Sequence, residues 1–218
     1  MSAGHHVHRH YSLSISNLSF LYGWVTAQGQ ICAVFLCINI NMKDEKLSDN
    51  FKLSEFSKGE LTSYQVDLLR ILAGELQVVR NRLQEFKEGM KPVYVVITSG
   101  VRTKADYDRL VKQGYNPSKT SDHFCGYQIE GTPTLGAADI QVYNCSMTTK
   151  QIALYIKQLV LSYDVNFGQV IYEKNPATGA EWIHLGNDPE LIFKKGITVK
   201  RNKFLMSLDN GKTYKELK

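Results

Sequence analysis

The chain has 218 residues, 43% of them hydrophobic and 22% charged. That is one ordinary globular domain with room for an appendage, and it can bury a core, so wholesale disorder is excluded. Lys and Arg number 26 against 21 Asp and Glu, a net charge of +5 that suits an anionic surface; with no Lys/Arg block, nucleic acid is not an expected partner.

The first forty residues do not match the rest. Of six histidines, His5, His6, His8 and His10 crowd the start, and only His123 and His184 follow. No Asp, Glu, Lys or Arg occurs between Arg9 and Lys43. The apolar run from Ile31 to Ile38 is shorter than the ~20 residues a spanning helix needs. Extending it back to Leu18 brings in Gly23, Thr26, Gln28, Gly29 and Gln30, which are poor in lipid, so stable membrane insertion is not expected. A basic start and an apolar middle are signal-like, but no clear small-x-small cleavage site follows. Residues 1–41 therefore read as an extension with three readings open: a non-native or mis-assigned start, a signal or weak anchor, or a structural piece. The domain proper is expected over 42–218. Cys32, Cys37, Cys125 and Cys145 form no CxxC pair and read as reduced packing residues.

Leu47 to Phe56 is an ordered lead-in. Thr62 with Gln65 forms a capping box. Leu69, Leu72, Leu76, Val79, Leu83 and Phe86 then make one helical stripe that Gly89 stops. Val93 to Thr98 is a β-branched run and is expected as a buried strand. Thr103 with Asp106 caps a second helix, through about Lys112, closed by Gly114. Ala137 to Val142 reads as a strand. Thr148 or Thr149 opens a third helix that buries Ile152, Leu154, Tyr155, Ile156, Leu159 and Val160. Strands are expected at Gln169 to Tyr172, Trp182 to Leu185, Ile197 to Val199 and Phe204 to Leu208, the last turning at Asp209-Asn210-Gly211. Helices first and strands later predict an α+β domain, a small mixed or antiparallel sheet with helices packed on one side. Neither GxGxxG after a strand nor GxxxxGK followed by Ser or Thr occurs, so nucleotide binding by those devices is not expected.

Three short segments can carry chemistry: Ser121-Asp122-His123, Gly136-Ala137-Ala138-Asp139 and Glu181-Trp182-Ile183-His184. Two imidazoles and a carboxylate are a common catalytic zinc set with the fourth position left for water. Such sites bring water to hydroxide near neutral pH and need a further, non-ligating carboxylate to move its proton. Glu181 is the candidate. Arg102, after a buried strand, can clamp a carboxylate or polarised carbonyl. Taken singly, a lone His is more often structural, an Asp at a strand start is more often a cap, and an Arg after a turn is usually a surface cation.

The order SGVR (Ser99 to Arg102), SDH (Ser121 to His123), GAADI (Gly136 to Ile140) and EWIH (Glu181 to His184) resembles the zinc D-Ala-D-Ala carboxypeptidase family. That family includes peptidoglycan-cleaving lysins and D,D-dipeptidases and shares its fold with the hedgehog signalling domain. FKLSEF (Phe51 to Phe56) is similar to the opening of a carboxypeptidase-type branch. The resemblance spans roughly Met42 to His184. It implies a hedgehog/DD-peptidase fold and one zinc ion held by His123, Asp139 and His184. It implies Glu181 as general base and then acid, Arg102 as the arginine that orients substrate and polarises the scissile carbonyl, and Ser121 and Trp182 beside the substrate.

Two departures stand out. The family pattern SxHxxGxAxD keeps His and Asp close, whereas here the segment from Tyr127 to Leu135 is inserted between them. Gly126 keeps the spacing from His123, and Ala137 keeps the spacing to Asp139, so the insertion is expected to loop out and to shape substrate entry. Second, positions three apart on a regular strand face opposite sides. Glu181 and His184 can share a metal only if Glu181 sits at an irregular strand entry, which the loop Asn175 to Gly179 is expected to supply. The functional expectation is a monomeric zinc metallopeptidase acting on peptidoglycan stem peptides at the bacterial wall, exported or delivered in phage lysis. The alternative is a non-catalytic zinc-containing binding module of the same fold.

Overall fold

The computed structural model describes residues 45–113, 117–126, 134–188 and 202–218, and the backbone of two short strands before them. Cα proximity divides the chain into two units, Met1–Ile40 and Asn41–Lys218. In the first, β1 (Tyr22–Val25) pairs antiparallel with β2 (Ile31–Val34), Trp24 opposite Cys32. In the second, the lead-in folds onto itself. Leu47 N donates to Phe51 O, and α1 (Leu53–Phe56) follows with Phe51, Leu53 and Phe56 buried.

The long helix α2 (Ser63–Leu83) starts where its capping box lies: Gln65 N donates to Thr62 Oγ1 at 3.3 Å, and Thr62 N to Gln65 Oε1 at 2.9 Å. Leu69, Leu72, Leu76, Val79 and Leu83 are fully buried along one stripe. Each such side chain contributes about 1.5–3 kcal/mol of burial. Phe86 lies in a 3-10 turn (Gln84–Phe86) past the end of α2 and is half-buried, edge-on to Tyr155. The same capping logic opens α3 (Lys104–Lys112) at Thr103/Asp106 and α4 (Thr149–Leu161) at Thr148/Gln151. In α4, Ile152, Ala153, Ile156, Leu159 and Val160 are buried, while Leu154 and Tyr155 are only partly covered.

Among the described residues, six strands form one mixed sheet: β3 (Tyr94–Ser99), β4 (Ala137–Tyr143), β5 (Phe167–Lys174), β6 (Glu181–Asn187), β7 (Lys203–Ser207) and β8 (Lys215–Glu216), in the order β3-β4-β6-β5-β7-β8. All neighbours are antiparallel except β5 and β7, which run parallel. The chain is thus α+β with a mixed sheet. The expected strand at Ile197 to Val199, the stop at Gly114 and residues 127–133 of the insertion lie outside the described residues.

The expectation that Val93 to Thr98 is a buried strand is corrected. β3 is an edge strand, and its exposure alternates: Val95 is buried, whereas Tyr94 is 48% and Val96 42% exposed. A β-branched run reports strand geometry, but only its neighbours decide whether both faces are covered.

The two faces of the sheet differ in kind. Ala138, Ile140, Val170, Tyr172, Ile183 and Leu185 join the core with the buried stripes of α2 and α4. Alternation sends Asp139, Gln141, Gln169, Glu173, Trp182 and His184 to the opposite face. The register pairs Asp139 with His184 and Ile171 with His184 across β4-β6-β5.

Candidate metal centre

Three elements converge on the polar face. β4 carries Asp139, β6 carries His184, and a 3-10 turn (Asp122–Phe124) brings His123 over them. That turn is anchored from both ends. Arg102 N donates to His123 O at 2.7 Å, and Asp122 Oδ1 accepts from Leu135 N at 3.1 Å. The inserted segment is closed at its neck, where Gly126 N donates to Thr134 O at 3.0 Å and to Thr134 Oγ1 at 2.9 Å. His123 and Asp139 therefore meet although sixteen positions separate them in sequence. The inserted stretch is shorter than its sequence limits suggested: Thr134 and Leu135 are buried parts of the domain.

The entry to β4 is set by Asn187. Its Nδ2 donates to Leu68 O at 2.9 Å and Leu135 O at 2.7 Å. Gly136 follows at φ +92°, and a Cβ there would meet Asn187 Nδ2 at 3.2 Å. Gly100 is required by close approach: a Cβ would meet Phe56 O at 2.1 Å.

His123 Nε2, His184 Nδ1 and Asp139 Oδ1 form a nearly equilateral triangle, with edges of 3.1, 3.0 and 3.2 Å. Each imidazole has its proton committed elsewhere. His123 Nδ1 donates to Gly100 O at 2.7 Å, and His184 Nε2 donates to Gln169 Oε1 at 3.1 Å. Orientation of ring nitrogens by an outer acceptor is how metal-ligating histidines are held. With those protons outward, two ring lone pairs and a carboxylate oxygen face one another, an arrangement that repels unless a cation sits among them. The edges approach the roughly 3.3 Å spacing of tetrahedral ligands placed about 2.0–2.1 Å from a metal. The trio can therefore hold a metal ion.

The electrostatics agree. Burial works against ionising Asp139, yet the two imidazoles outweigh it and hold its carboxyl far below the usual range. Burial also works against charge on His184, and Asp139 outweighs it by hydrogen bond and charge, with Glu173 and Asp122 adding to the effect, so its pKa is raised. A field that favours a proton on His184 favours any cation at that spot.

The remaining expected residues separate. Arg102 is half-buried beside His123, and its guanidinium has no partner among the described residues. Ser121 precedes the His123 turn and is half-buried. Trp182 shares the ligand face, but its indole N–H is committed to Glu173 Oε2 at 2.6 Å. Glu181 does not join the trio, and the expectation that it shares the metal with His184 from an irregular strand entry is corrected. β6 runs unbroken from Glu181 to Asn187, so Glu181 points to the face opposite His184. There it pairs with Lys174 Nζ at 2.8 Å. That bond first, against a burial cost, and then hydrogen bonds from Tyr172 and Thr149 lower its pKa. The loop at Asn175 to Gly179 leaves the strand entry regular: Lys174 and Glu181 are in register.

Glu173, Gln169 and Tyr214 were not among the expected site residues. Glu173 and Gln169 occupy alternating positions of β5 on the His184 face, a signal present in the sequence once β5 is paired with β6. Tyr214 OH donates to Glu173 Oε1 at 2.9 Å from beyond β7, and no local pattern announces it. Cys125 is buried, and its thiol is pushed up to about 12 by burial first and by Asp122 second, which fits an inert packing residue. Among the described residues, no helix is long and apolar enough to cross a membrane. Comparison of the chain with protein-family models, curated proteins and solved structures gives no match in any of the three.

Proposed function

We propose that the chain is a zinc-dependent peptidase that hydrolyses peptide bonds in peptidoglycan stem peptides, of the D,D-carboxypeptidase or endolysin type. The observation that carries the metal half of this reading is the triangle of acceptors with both imidazole protons turned outward. Two imidazoles and one carboxylate are a set that zinc accepts, with one position left open. The peptidase half rests on the order of the SGVR, SDH, GAADI and EWIH segments, whose His and Asp residues are the ones brought together.

When bound, zinc supplies Lewis acidity to water and to a carbonyl oxygen. The chain's own residues would do the rest. His123, Asp139 and His184 hold the ion, and Gly100 O and Gln169 Oε1 fix the two rings. Arg102, without a side-chain partner among the described residues and tied to His123 through its backbone N–H, suits the substrate carboxylate or the developing oxyanion. Trp182 and Ser121 stand at the margin as contacts for the peptide.

The binding-module reading draws support from the placement of Glu181, whose engagement with Lys174 removes the carboxylate expected to work with the ion. One experiment decides between them. The purified chain is analysed for metal, then incubated with peptidoglycan, and the soluble products are read by mass spectrometry with and without a chelator. One zinc per chain and chelator-sensitive release of D-Ala or of stem fragments support the peptidase. Zinc without release supports the module, and absence of bound metal overturns both.

A further inference from the structure

The face of the sheet that carries the ligand trio continues past it. Along β4, alternation keeps Gln141 and Tyr143 on the side of Asp139. Across the ladder Val96 lies opposite Gln141, and Tyr94 lies opposite Tyr143, so β3 adds these side chains to the same face. Tyr94, Val96 and Tyr143 are all exposed. At about 3.3 Å per residue, Tyr143 stands about 13 Å along the strand from Asp139.

Two features make this end of the sheet a place for a ligand. The β4–β6 ladder stops at Ile140 and Ile183, so the last three residues of β4 are paired with β3 alone. One side chain bridges the gap, Gln141 Nε2 donating to Glu181 O at 3.1 Å. A groove of about 320 Å³ opens there, lined by Gln141, Val142, Tyr143, Thr149, Gly179 and Glu181. Its one charged side chain, Glu181, is paired with Lys174. Tyr143 OH donates to Gln141 Oε1 at 2.7 Å, which steadies the phenol from its edge. Among the described residues no other ring and no cation lies over Tyr94 or Tyr143, so both ring faces are open.

Open phenol faces beside a groove of amide and hydroxyl groups select one chemistry. A pyranose ring presents C–H bonds on its flat sides, and these favour the electron-rich face of a phenol. Its hydroxyl and acetamido groups need donors and acceptors at the rim, which Gln141 and Thr149 supply. A polyanion finds no unpaired cation among the lining residues.

We propose that Tyr94, Tyr143 and the groove beside Gln141 form a subsite for a neutral oligosaccharide of N-acetylated amino sugars. The inference rests on the peptidase reading for the source of the sugar, the glycan to which stem peptides are attached. Four extended residues span about 13 Å. A wall fragment can therefore lie with its sugar on the tyrosines and its peptide at the trio.

The test titrates the full chain, as purified and after chelation, with the β-1,4-linked tetramer of N-acetylglucosamine, read by calorimetry. The parent should bind the tetramer in both states. Tyr94→Ala and Tyr143→Ala, which remove exposed rings and leave the core intact, should each weaken binding at least about tenfold, whereas Tyr143→Phe keeps the ring and should stay within about threefold. On wall material, Tyr143→Ala should raise KM for fragments that keep their sugars by about tenfold relative to KM for sugar-free stem peptides, with kcat little changed. No tetramer binding by the parent, or parental affinity in either alanine variant, overturns the proposal. So does a parent that sediments as a dimer and a Tyr143→Ala variant that sediments as a monomer, which assigns the face to a second copy of the chain. Tyrosine-dependent tetramer binding in a chain that cleaves no wall peptide keeps the subsite and overturns the peptidase reading.

Discussion

The two faces of β6 are made from one run of seven residues and obey different rules. On one, Ile183 and Leu185 are fully buried among α2 and α4, and their identity matters only through volume and apolarity. On the other, Trp182 and His184 make directed bonds to Glu173, Gln169 and Asp139, and each atom has a named partner. Glu181 falls on the first face by parity alone and ends in an ion pair at the margin of the sheet. A carboxylate three residues from a ligand on an unbroken strand is thus no evidence of a shared site.

The apolar face should give the largest stability losses. Ile183→Ala should cost about 2–5 kcal/mol in urea unfolding, the range for a buried aliphatic truncation. If it costs under about 1 kcal/mol, the assignment of Ile183 to a packed core is wrong. His184→Ala should do the opposite, abolishing zinc binding while leaving the urea midpoint of the metal-free protein nearly unchanged.

Zinc itself should come next. Free zinc at a thousand times its dissociation constant should stabilise the parent by about 4 kcal/mol, and thermal scans before and after chelation read this directly. His123→Ala should show no such difference, and a zinc-dependent shift persisting in that variant would place the ion elsewhere.

Asn187 joins the two faces at the end of β6. Asn187→Ala strips two carbonyls of their buried donor and should cost about 2–6 kcal/mol at roughly 1–3 kcal/mol per orphaned group. Because those bonds set the path from Leu135 into β4, zinc affinity should fall with stability. Stability falling alone would uncouple that entry from the ligands.

The smallest effects belong to surface charges. Glu181→Gln should change stability by about 1 kcal/mol or less, since its ion pair with Lys174 is partly open to solvent. Asp106, held at about 2 first by the Thr103 backbone N–H and then by Arg109 and the Thr103 hydroxyl, is charged more easily folded than unfolded. Its stabilising contribution is present above the ordinary Asp value of about 4 and is lost as pH falls through about 2. Asp106→Asn should flatten the acid limb of the unfolding profile in that window, and an unchanged slope would remove the role.

Legibility from sequence follows how local each feature is. The helix starts at Thr62 and Thr103 were readable because a capping box is closed within four residues, and the third was narrowed to Thr148 or Thr149. His123, Asp139 and His184 were readable only as an ordered set of segments, since their meeting depends on β4 pairing with β6. The opposition of Glu181 and His184 was also written in the parity, and β6 keeps it by staying regular. The edge position of β3 and the return of Tyr214 to Glu173 were not readable. Both depend on which strands become neighbours, and no window along the chain carries that information.

The neck between Gly126 and Thr134 has a consequence for how such a domain can change. Because the two ends of 127–133 are tied to each other, the length of that stretch is decoupled from the spacing of the ligands it separates. Closing a longer loop over a fixed neck costs only about 0.6 kcal/mol for each doubling. Foreign sequence spliced between those two residues would therefore leave the His123, Asp139 and His184 group its geometry, which makes the neck a socket beside that group and the place on this scaffold where new recognition could be grafted without rebuilding it.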